Sequence, residues 1–490
     1  MKHVFHVIAA ALVVGSSQVA PAAAQQTPAD GVTITATSKS PEAVAQFKKG
    51  EALFDNLRTT EAAEAFAQAL KLDSDFVLAH AFHGLSTPGP DGLKELDSAV
   101  GAAKALPEPE RLLIEGLAAN RRGEAAKATA SFVRLTELAP GDWRGHYSLG
   151  QQLLLDQKYG EAVASLKKAT ALNANAGGAQ NMLGYAALRQ GDSDGAIAAF
   201  QQYVRILPQE PNPQDSLAEA LLANGQFKES EAGFQKALDL SPAFWTGHQG
   251  IAYARLYAGD LAGGRAAFAK AKAVATRRTD KISVDDELAT LAMTEHDTKT
   301  ALAILDGIEK TAGAQLSDIA FVPVRRAQIL NDAGRSREAL APIALALKNA
   351  DSAQVTPGFS RGLRREALLA RIVAETQMRD VAAVAKTSMA LDDAAVGAAG
   401  DPNAQTSMHY GRGMLAAAKG DGPGARAEFD QCSREDAICK WQGVMTAEKA
   451  GDKAGAAVAR EQLLKNYARD PVALFVRSRL SPAAAKSGTR

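Results

Sequence analysis

From Gly116 onward, small and bulky apolar residues recur at a fixed interval. Gly116, Gly150, Gly184, Ala218 and Ala252 stand 34 residues apart. Sixteen residues after each comes a large apolar side chain: Phe132, Leu166, Phe200, Phe234 and Phe268. Phe fills only 16 of 490 positions, so its return to one slot is a pattern rather than chance. Seven residues after each small residue stand Gly123, Gln157, Gly191, Gly225 and Gly259, a helix-stopping glycine in four of the five frames. Pro140, Pro208 and Pro242 close three frames at an offset of 24. A period of this length predicts a tandem array of helical units joined by short turns.

The pattern extends both ways. Ser40-Pro41-Glu42 is a helix start with Pro in the first turn, and Gly50, Ala62, Phe66 and Ala69 repeat the central offsets. The frame at Gly84 is a distorted copy, its turn carrying Thr87-Pro88-Gly89-Pro90-Asp91-Gly92. Beyond a polar break at Arg277 to Asp280, frames centre on Ala289, Ala327, Arg371, Gly413 and Val444 at steps of 37, 38, 44, 42 and 31 residues. Those longer steps predict longer helices or inserted loops, notably at 349–358 and 395–405. Twelve helical pairs result, the last followed by Asp470-Pro471 and a capping helix ending near Leu480.

The spacing resembles the tetratricopeptide repeat. Leu149-Gly150, Leu183-Gly184 and Leu217-Ala218 match its Leu-Gly pair, and Ala128, Ala162 and Ala196 its central Ala. The Trp slot departs throughout, with His80, His146, His248 and His409 standing there. The resemblance implies an all-α, right-handed superhelical solenoid of about twelve helix-turn-helix repeats, a regular array over 40–276 and an irregular one over 277–480. It also implies that the first helix of each pair lines a concave groove. Residues three before and one after each zero point then project inward, nominating Tyr147, Gln151, Asn181, Tyr185, Asp215, Glu219, Gln249 and Tyr253 for a partner protein or peptide. A basic clamp for a C-terminal carboxylate is not expected, because Asp215 and Glu219 stand where cations would be needed.

Composition agrees with a stack of small interfaces. Aromatic content of 6% is low for one large core, whereas repeat pairs bury only a stripe against their neighbours. Lys+Arg 55 balances Asp+Glu 55, which argues against nucleic acid or an anionic membrane as the main partner. Residues 1–24 read as an export signal: Lys2 is the positive end, Val4 to Gly15 an apolar core too short to span a bilayer, and Ala22-Ala23-Ala24 the cleavage site. No Cys follows that site, so the expected destination is the bacterial periplasm or beyond, without a lipid anchor. Residues 25–39 are expected to be a disordered linker and 481–490 a disordered tail.

Candidate chemistry is sparse. Cys432 and Cys439 flank a turn between two helices and are expected either to form a disulfide, contributing about 2–3 kcal/mol on the loop-entropy account, or to remain buried thiols. Gly191-Asp192-Ser193-Asp194-Gly195 satisfies a hydrolase-elbow pattern but falls in an interhelical turn rather than after a strand, and Ser165-Leu166-Lys167-Lys168 lies within a helix. His80 and His83 share a helix face without a supporting carboxylate or Cys at ligand spacing, so no metal and no cofactor is expected. Arg361, Arg364, Arg365 and Arg371 read as a solvated helix face. The expected function is a non-catalytic interaction scaffold. The alternatives are an accessory subunit of an envelope polysaccharide or outer-membrane biogenesis machine, and an enzyme whose site lies in the irregular half, Ile282 to Val444.

Overall fold

The structure, a computed structural model, describes residues 32–56, 58–311, 313–398, 401–433 and 435–481. The expected export signal at 1–24, residues 25–31 and residues 482–490 lie outside them. Among the described residues there is no strand, and the helices follow one another as twelve helix–turn–helix units and a final helix. By contacts the chain divides into two compact units. The first runs to Ala220 and includes Asp239–Ser241; the second comprises Leu221–Leu238 and Pro242 onward.

In the first unit, helix α1 (Pro41–Asp55) pairs with α2 (Thr59–Leu72), α3 (Val77–Ser86) with α4 (Pro90–Ala102), α5 (Glu108–Arg122) with α6 (Ala125–Leu138), α7 (Trp143–Leu155) with α8 (Tyr159–Leu172), and α9 (Gly177–Gln190) with α10 (Ser193–Ile206). The 34-residue spacing has a direct steric cause. A Cβ on Gly116 would stand 2.4 Å from the Phe132 ring and one on Gly184 2.5 Å from Phe200, so the ring of each second helix rests on the bare backbone of its first. Phe66, Phe132 and Phe200 are consequently at most 1% exposed, each contributing about 2–3 kcal/mol by burial. The turn glycines, for example Gly191 at φ 93°, occupy the left-handed region that ends a helix. An aspartate then starts the next helix, as where Asp192 accepts from the Gly195 amide at 2.8 Å.

The second unit continues the scheme in α13 (Trp245–Tyr257) with α14 (Leu261–Val274), α15 (Arg278–Thr294) with α16 (Thr298–Glu309), α18 (Val322–Asp332) with α19 (Ser336–Ala350), α20 (Pro357–Gln377) with α21 (Val381–Val396), α22 (Pro402–Ala418) with α23 (Gly422–Asp430), and α24 (Ala437–Lys449) with α25 (Lys453–Leu464). Helices α11 (Pro211–Ala223) and α12 (Phe227–Leu240) stand between the two series, a one-turn α17 (Leu316–Ile319) precedes α18, and α26 (Pro471–Leu480) ends the described chain. The lengthened steps are mainly lengthened helices, of 17 residues in α15 and α22 and 21 in α20.

Two expectations require correction. The frame placed on Arg371 belongs on Ile372: Ile372 is fully buried, Arg371 is half-exposed, and the left-handed turn residue is Arg379, seven after 372. The linker expected to be disordered over 25–39 is ordered across 32–39. Ile34 is 5% exposed within the first unit's core, and its amide donates to Asp142 at 2.8 Å. Cys432 and Cys439 are bonded to each other, their Cα atoms 6.4 Å apart.

Candidate functional site

Each nominated groove residue takes its position from a first helix, where the −3 and +1 slots share one face. In the first unit these slots form a polar line across α9 and α11. Tyr185 lays its ring edge-on to Phe200 at 5.1 Å, which fixes its hydroxyl 3.3 Å from Glu219 Oε2 and 3.4 Å from Ser216 Oγ. Ser216 donates onward to Asn181 Oδ1 at 3.2 Å. Asn181 and Asp215 are buried, whereas Tyr185 and Glu219 keep part of their surface open. The line is therefore anchored at its base and accessible at its rim.

Tyr147 and Gln151 sit one pair earlier, the Gln151 amide donating to the Tyr147 hydroxyl at 2.8 Å. Here the end of α1 closes in. The Asp55 carbonyl and the Asn56 side chain meet Gly178 and Gly177 at distances that leave no room for a Cβ, and the Tyr147 hydroxyl lies beside them. Burial, then the Asp55 and Tyr203 groups, push the Tyr147 phenol well above its ordinary range. Burial and the neighbouring Glu51 carboxylate raise Asp55 likewise, against the opposing pull of Arg144. Tyr147 thus turns its hydroxyl into the packing beside α1, and both it and Gln151 keep part of their surface open.

Gln249 and Tyr253 are not open groove residues, because the chain's own C-terminal segment covers them. Both are buried, at 2% and 0% exposure. Gln249 donates to Glu287 at 2.5 Å, and Tyr253 packs against Tyr257 and Phe268. Over this face Tyr257 donates to the Ala468 carbonyl at 2.6 Å, Tyr467 sits edge-on to Phe227 and Tyr257, and Arg469 lies 5.6 Å from the Phe234 ring. Arg477 lies over both Tyr257 and Tyr467. Arg479 pairs with Asp332 at 2.5 Å and donates to the Met293 and Thr294 carbonyls. Beneath this cover Glu287 is raised to about 8, chiefly by burial and secondarily by Asp286, against Gln249, Arg469 and Tyr253.

The remaining suspects find structural roles. Ser193 opens α10 after a turn from α9, and Ser165 is buried, donating to the His146 carbonyl at 3.0 Å. His146 is held by the Pro140 carbonyl at 3.1 Å, and His409 by Glu428 at 2.7 Å. His80 and His83 do have a carboxylate that spacing did not reveal: Glu95 on α4 takes both Nδ1 atoms, at 2.8 and 2.7 Å. Among the described residues no group of three or more His, Cys, Asp or Glu is arranged to hold a metal. Arg364 pairs with Asp351, and Arg371 with Glu375 at 2.7 Å. Among the described residues no helix is long and apolar enough to cross a membrane.

Sequence reasoning missed Glu287, the covering residues Tyr467 and Arg469, and the ordered stretch 32–39. Only the last left a signal, the alternation of Ile34, Ala36 and Ser38 with Thr33, Thr35 and Thr37.

The family model of the tetratricopeptide repeat matches residues 147–211, the stretch that carries the polar line's first members. No curated protein matches the chain. Among solved structures, yeast Tom70 is 17% identical over 91% of this chain and 98% of its own, with a TM-score of 0.46. MamA from Desulfovibrio magneticus RS-1 is 20% identical over 34% of this chain and 94% of its own, with a TM-score of 0.32. YrrB, described as a TPR protein with an unusual peptide-binding site, is 16% identical over 43% of this chain and 93% of its own, with a TM-score of 0.29.

Proposed function

Starting from a chain that is a tetratricopeptide repeat protein, we propose that it is a non-catalytic interaction scaffold which holds a peptide segment or partner protein against the first helices of its first unit. The observation that carries this reading is the line Glu219–Tyr185–Ser216–Asn181, in which two rim residues are braced by buried ones. Bracing of this kind lowers the ordering cost on binding, because the rim donors and acceptors are already in place. Glu219, Asp215 and the neutral amides favour a neutral or basic segment over an acidic one. The scaffold works in the bacterial periplasm or outside the cell, a placement supported by the signal pattern at 1–24 and by the Cys432–Cys439 bond.

Immobilised full-length chain and a Tyr185→Ala/Glu219→Lys variant, each exposed to the same envelope extract, test the site. The expected result is a protein retained by the first and reduced at least tenfold on the second, with a crosslink mapped to Gln151. Equal retention by both chains would reject this face as the binding surface.

A further inference from the structure

In the first unit an extended stretch of the chain is held by side chains at the starts of two helices. Residues 32–39 run without helix past the starts of α5 and α7. The Ile34 amide donates to Asp142 Oδ2 at 2.8 Å, and the Ile34 carbonyl accepts from Arg144 Nη2 at 2.8 Å. One residue's backbone is thereby clamped by one acid and one guanidinium. Three positions on, Glu110 takes both donors of Thr37: the amide on Oε1 at 3.1 Å and the hydroxyl on Oε2 at 2.6 Å. Asp73 then accepts from Ser38 and from the Lys39 amide, at 2.5 and 2.9 Å.

The receiving groups are built into the fold rather than laid on its surface. Glu110 is 1% exposed and Asp142 3%, and Arg144 is fixed from behind by Glu51 at 3.2 Å. Ile34 enters the core cluster, Ala36 packs partly against it, and Thr33 and Thr35 are exposed. Burial raises the Glu110 carboxyl, while the two Thr37 bonds and Arg144 oppose the rise. The buried acid is thus partnered through a segment that contributes a single large apolar side chain to the core.

We propose that the strip formed by Glu110, Asp142 and Arg144 is a docking site for an extended partner peptide, and that residues 32–39 are its tethered occupant in the free protein. The matching chemistry follows from the contacts. The Asp142–Arg144 clamp accepts any non-proline residue, the pocket takes a branched aliphatic side chain, and the next residue but one is small. The third residue after the aliphatic must be Thr or Ser, because any other leaves one oxygen of a buried carboxylate without a donor. A tethered occupant competes at an effective concentration on the order of millimolar, so it masks the strip from all but well-matched segments. This surface is separate from the Tyr185–Glu219 line and stands or falls without it.

The probe is a fluorescein-labelled peptide of sequence 32–40, titrated by anisotropy into the full chain and into full chain carrying Ile34→Asp and Thr37→Ala. The expected result is saturable binding to the variant, at least tenfold weaker binding to the wild type, and loss of binding when Glu110→Gln is added or when the peptide's own Thr37 position carries Ala. No saturable binding to a folded variant overturns the proposal, as does a dimer formed by exchange of the segment between two copies. If the variant fails to fold, hydrogen exchange on the wild type decides. The Ile34 and Thr37 amides are expected to open independently of α5, at rates insensitive to mild urea. Opening only together with α5 would make the segment core and overturn its role as occupant.

Discussion

Glycine at the zero point of a frame is a packing decision made by one atom. Because a Cβ on Gly184 would stand 2.5 Å from Phe200, Gly184→Val is expected to cost about 1–3 kcal/mol, with Gly184→Ala costing less as the ring gives way. Urea midpoints of the two variants against wild type check the order, and a neutral valine would contradict the packing account. Glu287 offers the sharpest titration. Its folded pKa, about 8, lies above that of the unfolded chain, so the stability linked to its protonation is fully present below about pH 4.5 and lost as pH rises through 8. Glu287→Gln is therefore expected to flatten this dependence and to raise stability at pH 8.5 by about 1–3 kcal/mol. Parallel stability curves for the two proteins between pH 5 and 9 would show that the carboxyl is not buried in solution.

Helices and turns were legible from the residues because their causes are local: a glycine at the left-handed position, an aspartate at the next start, a ring sixteen residues from a small neighbour. The frame at 372 escaped because its step is irregular and Arg379 fills the left-handed slot, so neither the spacing nor a glycine marked it. What lies over a helix face is not a local property. Tyr257 reaches Ala468 across 211 residues and Arg479 reaches Asp332 across 147, so no periodicity could show that Gln249 and Tyr253 lie beneath the chain's own end. Tyr185 and Glu219, by contrast, are partly open, and their contacts stay within adjacent repeats, 31 to 34 residues apart, where the period itself sets the neighbours. The covering segment makes its own prediction. Arg479→Ala would strand a largely buried Asp332 and two backbone carbonyls, at an expected cost of about 3 kcal/mol. Faster amide exchange in α15 would report it, and unchanged protection there would mean that α26 is held by its apolar side chains alone.

At the scale of the whole molecule, cationic and anionic side chains balance, 55 against 55, so no net charge of the chain as a whole steers a partner from a distance. For the proposed scaffold, recognition is then expected at short range, by shape and hydrogen bonds. That suits surfaces whose polar groups are fixed in advance, and it makes the compartment matter, because the environment decides whether Cys432 and Cys439 stay joined. Export and oxidation are separable in one measurement. Protein recovered from the periplasm or medium of a producing bacterium, without reductant, is expected to show an intact mass lacking residues 1–24 and lower by two hydrogens than the reduced chain. After reduction and alkylation, two adducts appear, at Cys432 and Cys439. Full-length mass would remove the export signal from the account. A trimmed chain that alkylates before reduction would keep the export signal and break the bond, taking with it the about 2–3 kcal/mol that closing so short a loop contributes.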